Sequence, residues 1–145
     1  MASRKAIFLV SLFTLAAVPA LAQTLEERKL HADQEQQLAA KAELTNKACG
    51  FSLKTQIDWA TFKSEEVLQK SVVSWCTAGL DAMEDLCSES LGKQAVSEKV
   101  KTLTCAGGSA VSATLVDGNL TYAFPFSSAS NQNKLVIRSY LEKNL

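Results

Sequence analysis

The chain has 145 residues, with 15 basic residues that balance 15 acidic ones, four cysteines and a single histidine. This length predicts one domain, and the balanced charge, without any basic run, gives no reason to expect nucleic acid or an anionic membrane as a partner. Because the chain has only one histidine, serine-histidine and cysteine-histidine catalytic systems are also poor candidates.

The N-terminus has the pattern of a cleavable export signal. Arg4 and Lys5 precede an uncharged apolar stretch over residues 6–18. That stretch is shorter than the roughly 20 residues that a membrane-spanning helix needs. Small alanines follow it, so we expect signal peptidase to cleave between Ala22 and Gln23.

Cleavage would separate the signal, residues 1–22, from a single mature domain, residues 23–145. The loss of Arg4 and Lys5 leaves 13 basic and 15 acidic residues in that domain. None of its apolar runs is long enough to cross a bilayer, so we expect no stable membrane span after cleavage. Such a protein would be periplasmic or secreted.

The first predicted helix begins at a capping box, in which Thr24 and Glu27 bond each other's backbone amides. Gly50 is placed to end the helix. Its first half lacks an apolar stripe, so residues 24–36 are expected to form an exposed helical arm, with contact to a partner chain as the alternative.

Residues 51–59 read as a strand-like or turn connection, and a second helix is expected to begin near Ser64. This is the clearest amphipathic element in the sequence, and burial of its apolar face should drive folding. The apolar half of its helical wheel contains Leu68, Val72, Trp75, Cys76, Gly79, Leu80, Met83, Leu86 and Cys87.

Four cysteines in an exported domain favour two structural disulfides over free thiols or a zinc site. Cys76 and Cys87 would be about 16 Å apart in one continuous helix, beyond the roughly 7 Å limit for a bridge. Two pairings remain, Cys49–Cys76 with Cys87–Cys105 or Cys49–Cys87 with Cys76–Cys105. An antiparallel helical hairpin brings Cys49 near the start of the second helix, so the first pairing is preferred.

The period changes towards two after Gly92, which predicts strands over residues 100–105 and 110–116 and a third from Asn119. Alternation along the third strand places Leu120, Tyr122, Phe124 and Phe126 on one face. Asp117-Gly118 is a strong hairpin signal. A closing helix is expected over residues 134–145, with a short strand over residues 135–137 as the alternative. The predicted fold is therefore α+β: a helical hairpin, a three-stranded antiparallel meander and a C-terminal helix, with two disulfides.

Aromatic residues are the best material in the chain for a binding site. Rings between helices and a sheet can line a pocket for a small apolar ligand, although such rings more often fill a core. The residues concerned are Trp59, Trp75, Tyr122, Phe124 and Phe126.

No catalytic, metal or cofactor site is expected. His31 is the only imidazole and is expected on an exposed helix surface. The acid pairs Glu65-Glu66 and Glu84-Asp85 are expected on the solvated side or in the first turn of the second helix. Asn119 opens an N-glycosylation sequon, which matters only in a eukaryotic host.

The leading functional hypothesis is a non-enzymatic, exported, disulfide-stabilised binding protein whose partner is a protein. One alternative is a carrier that holds a small apolar ligand between the helices and the sheet. Another is a histidine-independent hydrolase.

Overall fold

The computed structural model describes residues 24–145, so the predicted signal and its cleavage site at Ala22 and Gln23 lie outside the described residues. The α+β class is confirmed. The elements of the described part follow the order α1 Leu25–Cys49, β1 Lys54–Asp58, a 3-10 turn Trp59–Thr61, α2 Ser64–Val67, α3 Val72–Cys87, α4 Ser90–Lys99, β2 Thr102–Gly107, β3 Ser112–Val116, β4 Asn119–Phe124 and α5 Ser130–Asn144.

Both predicted ends of α1 are confirmed. The Thr24 N–H donates to the Glu27 carboxylate at 2.9 Å, the Glu27 N–H donates to the Thr24 hydroxyl at 3.1 Å, and Gly50 ends the helix at φ 71°. The expected exposed arm, residues 24–36, is shorter than predicted. Leu30 packs against the core, and the Gln34 side chain is only 4% exposed.

Helices α1 and α3 lie side by side and run in the same direction. Three contacts follow one another in the same order along both helices: Gln34 with Val72, Thr45 with Glu84, and Cys49 with Cys87. The expected antiparallel hairpin is therefore wrong. Between the two helices the chain returns along the molecule as β1 and α2, so α3 starts beside the early turns of α1.

The continuous helix expected from Ser64 is broken into α2 and α3. The N-cap of α2 is Lys63, and α2 is only four residues long. The first N–H of α3, on Val72, is accepted at 2.7 Å by the buried amide oxygen of Gln34 on α1. This cap from a neighbouring helix lets α3 begin anew, and Leu68 in the break is 53% exposed.

The disulfides are Cys49–Cys87 and Cys76–Cys105, with Cα atoms 5.1 and 5.8 Å apart. The preferred pairing of Cys49 with Cys76 and of Cys87 with Cys105 is therefore wrong, and the alternative is correct. Because α1 and α3 run parallel, Cys49 meets the end of α3, while Cys76 faces the sheet. The exclusion of a Cys76–Cys87 bridge is confirmed.

The four strands form one mixed sheet in the order β1-β2-β4-β3. Strands β1 and β4 each pair parallel with β2, and only β3 and β4 pair antiparallel. The expected three-stranded antiparallel meander is therefore wrong, because β4 and not β3 occupies the place beside β2. The Asp117-Gly118 turn is confirmed, with φ values of 49° and 81°.

The helices cover one face of this sheet. The register brings the apolar side chains of three strands onto that face: Ile57, Leu103, Cys105, Leu120, Tyr122 and Phe124. The opposite face carries mainly small polar residues. Helix α5 begins at Ser130, four residues before the predicted start, and buries Asn133, Ile137 and Leu141. No helix within residues 24–145 has the length and apolar character that crossing a membrane requires.

Candidate functional site

The carboxyl ends of three parallel strands meet at one edge of the sheet. The chain leaves β1 after Asp58, β2 after Gly107 and β4 after Phe124. A cleft of about 500 Å³ opens between these exits. Ligands of open α/β sheets bind outside the carboxyl ends of the strands, and small-molecule pockets span about 300–1,000 Å³. This cleft, which we call the strand-end cleft, is therefore the candidate site.

Gly107 brings two walls of the strand-end cleft together. A Cβ atom at this position would lie 2.4 Å from the Thr61 carbonyl oxygen and 3.1 Å from the Phe62 ring. The Gly107 N–H also donates to the Thr61 hydroxyl at 2.7 Å. Only glycine allows this close approach, which draws the segment after β1 onto the end of β2.

Three phenylalanine rings form the floor of the cleft. Phe62 lies 5.6 Å from Phe124 and 5.5 Å from Phe126, and the latter two rings lie 5.9 Å apart, measured between ring centroids. Phe124 and Phe126 are 1% and 9% exposed, whereas Phe62 is half-buried. The tilted and edge-on arrangement is favourable for aromatic rings and leaves a rigid apolar surface.

Charged side chains stand at the rim. Lys63, Lys70 and Glu66 line the opening, and the Lys70 ammonium lies 5.4 Å from the centroid of the Phe126 ring. None of the ion pairs found in residues 24–145 includes any of these three side chains. Since two lysines stand against one glutamate, the rim has a net positive charge.

Two of the five aromatic residues predicted for an apolar pocket, Phe124 and Phe126, line the strand-end cleft. Trp75 lies behind them, edge-on to Phe126 at 5.2 Å, and its Nε1–H donates to the Ser128 carbonyl at 2.9 Å. Tyr122 is fully buried, and its hydroxyl accepts a 2.7 Å hydrogen bond from Asn133. Burial raises the pKa of Tyr122 to about 12, although that hydrogen bond acts in the opposite direction. Trp75 and Tyr122 therefore do not line the cleft but support its floor from beneath.

Trp59 does not line the cleft. Its ring stacks on His31 with centroids 3.8 Å apart, and its Nε1–H donates to the Glu35 carboxylate at 2.6 Å. His31 is therefore not the freely exposed helix-surface histidine that was expected. These contacts fix the early turns of α1 to the segment after β1.

The acid pair Glu84-Asp85 holds helices together. Glu84 accepts a 2.7 Å hydrogen bond from Thr45 on α1. Asp85 lies 2.8 Å from Lys134 and 3.7 Å from Arg138, both on α5. Nearby, burial and then the Glu84 charge raise the pKa of Asp81, which Lys134 partly offsets. A groove of about 770 Å³ passes these acids, but Glu84, Asp85 and Arg138 on its walls are engaged in contacts between helices.

Sequence reasoning did not place Phe62, Lys63 or Lys70 at a site. These residues follow β1, a segment interpreted only as a connection, and they reach the cleft because β1 pairs parallel with β2. The glycine pair at 107 and 108 was the available signal, since adjacent glycines can mark a close backbone approach as well as a turn.

No protein-family model matches the chain, and no curated protein or solved structure is significantly similar to it. Within residues 24–145, no group of three or more histidine, cysteine, aspartate or glutamate side chains is arranged to hold a metal ion.

Proposed function

We propose that this protein is an exported binding protein whose ligand places an apolar group in the strand-end cleft. The observation that carries the proposal is the aromatic floor formed by Phe62, Phe124 and Phe126. An apolar group seated there would cover the half-buried Phe62 ring, which Phe124 and Phe126 support from beneath. Each Å² of apolar surface removed from water gains roughly 25 cal/mol.

Two further observations support export. The disulfides join residues 38 and 29 positions apart, and such bridges form and persist in oxidising compartments. The N-terminal sequence has the charge and apolar pattern of an export signal. Both favour a periplasmic or secreted protein. The apolar group belongs to a partner protein or to a free small molecule, and the open cleft admits either.

A neutral fluorescent probe tests the cleft. N-phenyl-1-naphthylamine should bind at one site per protein, and Phe62→Ala should weaken its binding about fivefold or more, because an aromatic anchor contributes most of the affinity of such sites. Phe51→Ala is the matched control, since Phe51 is also half-buried but does not line the cleft. Equal probe binding by both variants, with the fold intact by circular dichroism, would refute the proposal.

Binding without turnover is part of the proposal, and a histidine-independent hydrolase is its competitor. Glu66 is the carboxylate at the rim of the strand-end cleft. The hydrolase predicts turnover in a screen of ester, amide and glycoside substrates that survives His31→Ala and disappears in Glu66→Gln. Turnover with that dependence would replace binding as the function of the site.

A further inference from the structure

The rim of the strand-end cleft carries charge that a purely apolar ligand would leave unused. Lys63 and Lys70 supply two positive charges and Glu66 one negative charge. The ion pairs among residues 24–145 involve other side chains. An unpaired ammonium group attracts an anion over about 10 Å at 0.1 M salt. The mouth of the cleft is therefore suited to an anionic group.

We propose that the ligand is an apolar carboxylate, in which one carboxylate group is attached to an aromatic or branched apolar body. This inference rests on the proposed function and specifies its ligand. Two lysines and one glutamate leave one net positive charge, which matches a monoanion and is less suited to a dianion such as a phosphate monoester.

The geometry places the two parts of such a ligand side by side. The Lys70 ammonium lies 5.4 Å from the centroid of the Phe126 ring. A body seated on the aromatic floor therefore holds a carboxylate, one or two carbon atoms away, within reach of this ammonium. Gly107 and Gly108 line the same cleft without side chains of their own.

The same chemistry occurs in two sources, a free aryl or branched-chain acid and the C-terminus of a peptide that ends in an apolar residue. In both, one or two carbon atoms separate the apolar body from a single carboxylate. The experiment uses one probe of each kind, and each probe is paired with its neutral amide, which has the same shape without the charge.

The test is titration of the mature, disulfide-bonded protein with each probe, and binding is measured from changes in the amide chemical shifts. The free probes are 3-phenylpropionate and 3-phenylpropionamide. The peptide probes are acetyl-Gly-Gly-Phe with a free C-terminus and its C-terminal amide. Each acid should bind about two- to fivefold more tightly than its amide at low salt, and 0.5 M NaCl should remove most of the difference. Shift changes should centre on residues 107–109, on Phe124 and on residues 126–127.

Variants of the rim lysines test whether these lysines cause the difference in affinity between acid and amide. The double variant Lys63→Met, Lys70→Met should bind acid and amide equally, because methionine keeps the apolar length and loses the charge. Lys54→Met is the matched control, since Lys54 is exposed on β1 but does not line the cleft. It should keep the preference for the acid. Glu66→Gln should increase that preference.

Each outcome decides the proposal. Acid and amide that bind equally at the cleft would overturn the carboxylate inference and leave the proposed function standing. A preference for the acid that survives the double lysine variant would also overturn the inference. If no probe shifts the cleft resonances and N-phenyl-1-naphthylamine also fails to bind, the proposed function falls with it. Tighter binding of the peptide acid than of 3-phenylpropionate would assign the source to protein C-termini, and the reverse to free acids.

Discussion

The two faces of the sheet belong to the same strands but are stabilised by different interactions. On the helix-covered face, Leu103 and Tyr122 are fully buried among apolar groups. On the open face, side-chain hydrogen bonds link neighbouring strands: Gln56 donates to Thr104 at 2.7 Å and Thr104 to Asn119 at 2.8 Å. Within β4, Asn119 donates to Thr121 at 3.2 Å. Burial should therefore supply most of the stability, and the open face rather little.

The largest effect is expected from removing the disulfide that ties the covered face to α3. The double variant Cys76→Ala, Cys105→Ala should lose about 3–4 kcal/mol of unfolding free energy, because the bridge closes a loop of 29 residues and both cysteines are fully buried. Urea unfolding measures the loss. Non-reducing peptide mapping of the native protein should recover Cys49 with Cys87 and Cys76 with Cys105. A loss below 1 kcal/mol would contradict the importance of this face.

A pair of adjacent substitutions compares the two faces directly. Leu103→Ala removes a fully buried side chain from the covered face and should cost about 2–5 kcal/mol. Thr104→Val, the next residue and on the opposite face, should cost less than about 1 kcal/mol, because Gln56 and Asn119 are exposed enough to bond water instead. Equal costs in urea unfolding would show that the open face contributes as much as the covered one.

The smallest effect expected is a pH dependence at Tyr122. Its pKa in the folded protein is about 12, above the ordinary value of 10.0. Its contribution to stability is therefore complete below pH 10 and is lost as the pH rises towards 12, by roughly 1 kcal/mol at pH 11. Tyr122→Phe should unfold with a shallower decline over this range. Parallel declines for the two proteins would mean that other groups cause the pH dependence.

Local features were predicted well because they depend on neighbouring residues. The Thr24-Glu27 capping box, the Gly50 helix end and the Asp117-Gly118 turn each involve backbone groups within four positions. The alternation of Leu120, Tyr122 and Phe124 also correctly gave the buried face of β4. In contrast, the break between α2 and α3 depends on Gln34, which lies 38 positions from the Val72 amide that it caps.

The candidate site was predicted only in part for a related reason. Phe124 and Phe126 stood out because they alternate along the predicted third strand, whereas Phe62 lies in an irregular segment and has no periodic pattern. Its role depends on the contact between Thr61 and Gly107, 46 positions apart in the chain. Pairing across such distances leaves no regular spacing in the sequence.

The sequence by itself determined the α+β class and the caps and turns, and it reduced the possible disulfide pairings to two. Hydrophobic period, backbone preference and helix rise all act over short distances in the chain. Tertiary structure decided the parallel course of α1 and α3, the strand order and hence the pairing of the cysteines. It also decided where the strand ends meet, and so placed Phe62, Lys63 and Lys70 around one cleft. These choices depend on which buried surfaces fit together, and that fit involves residues far apart in the chain.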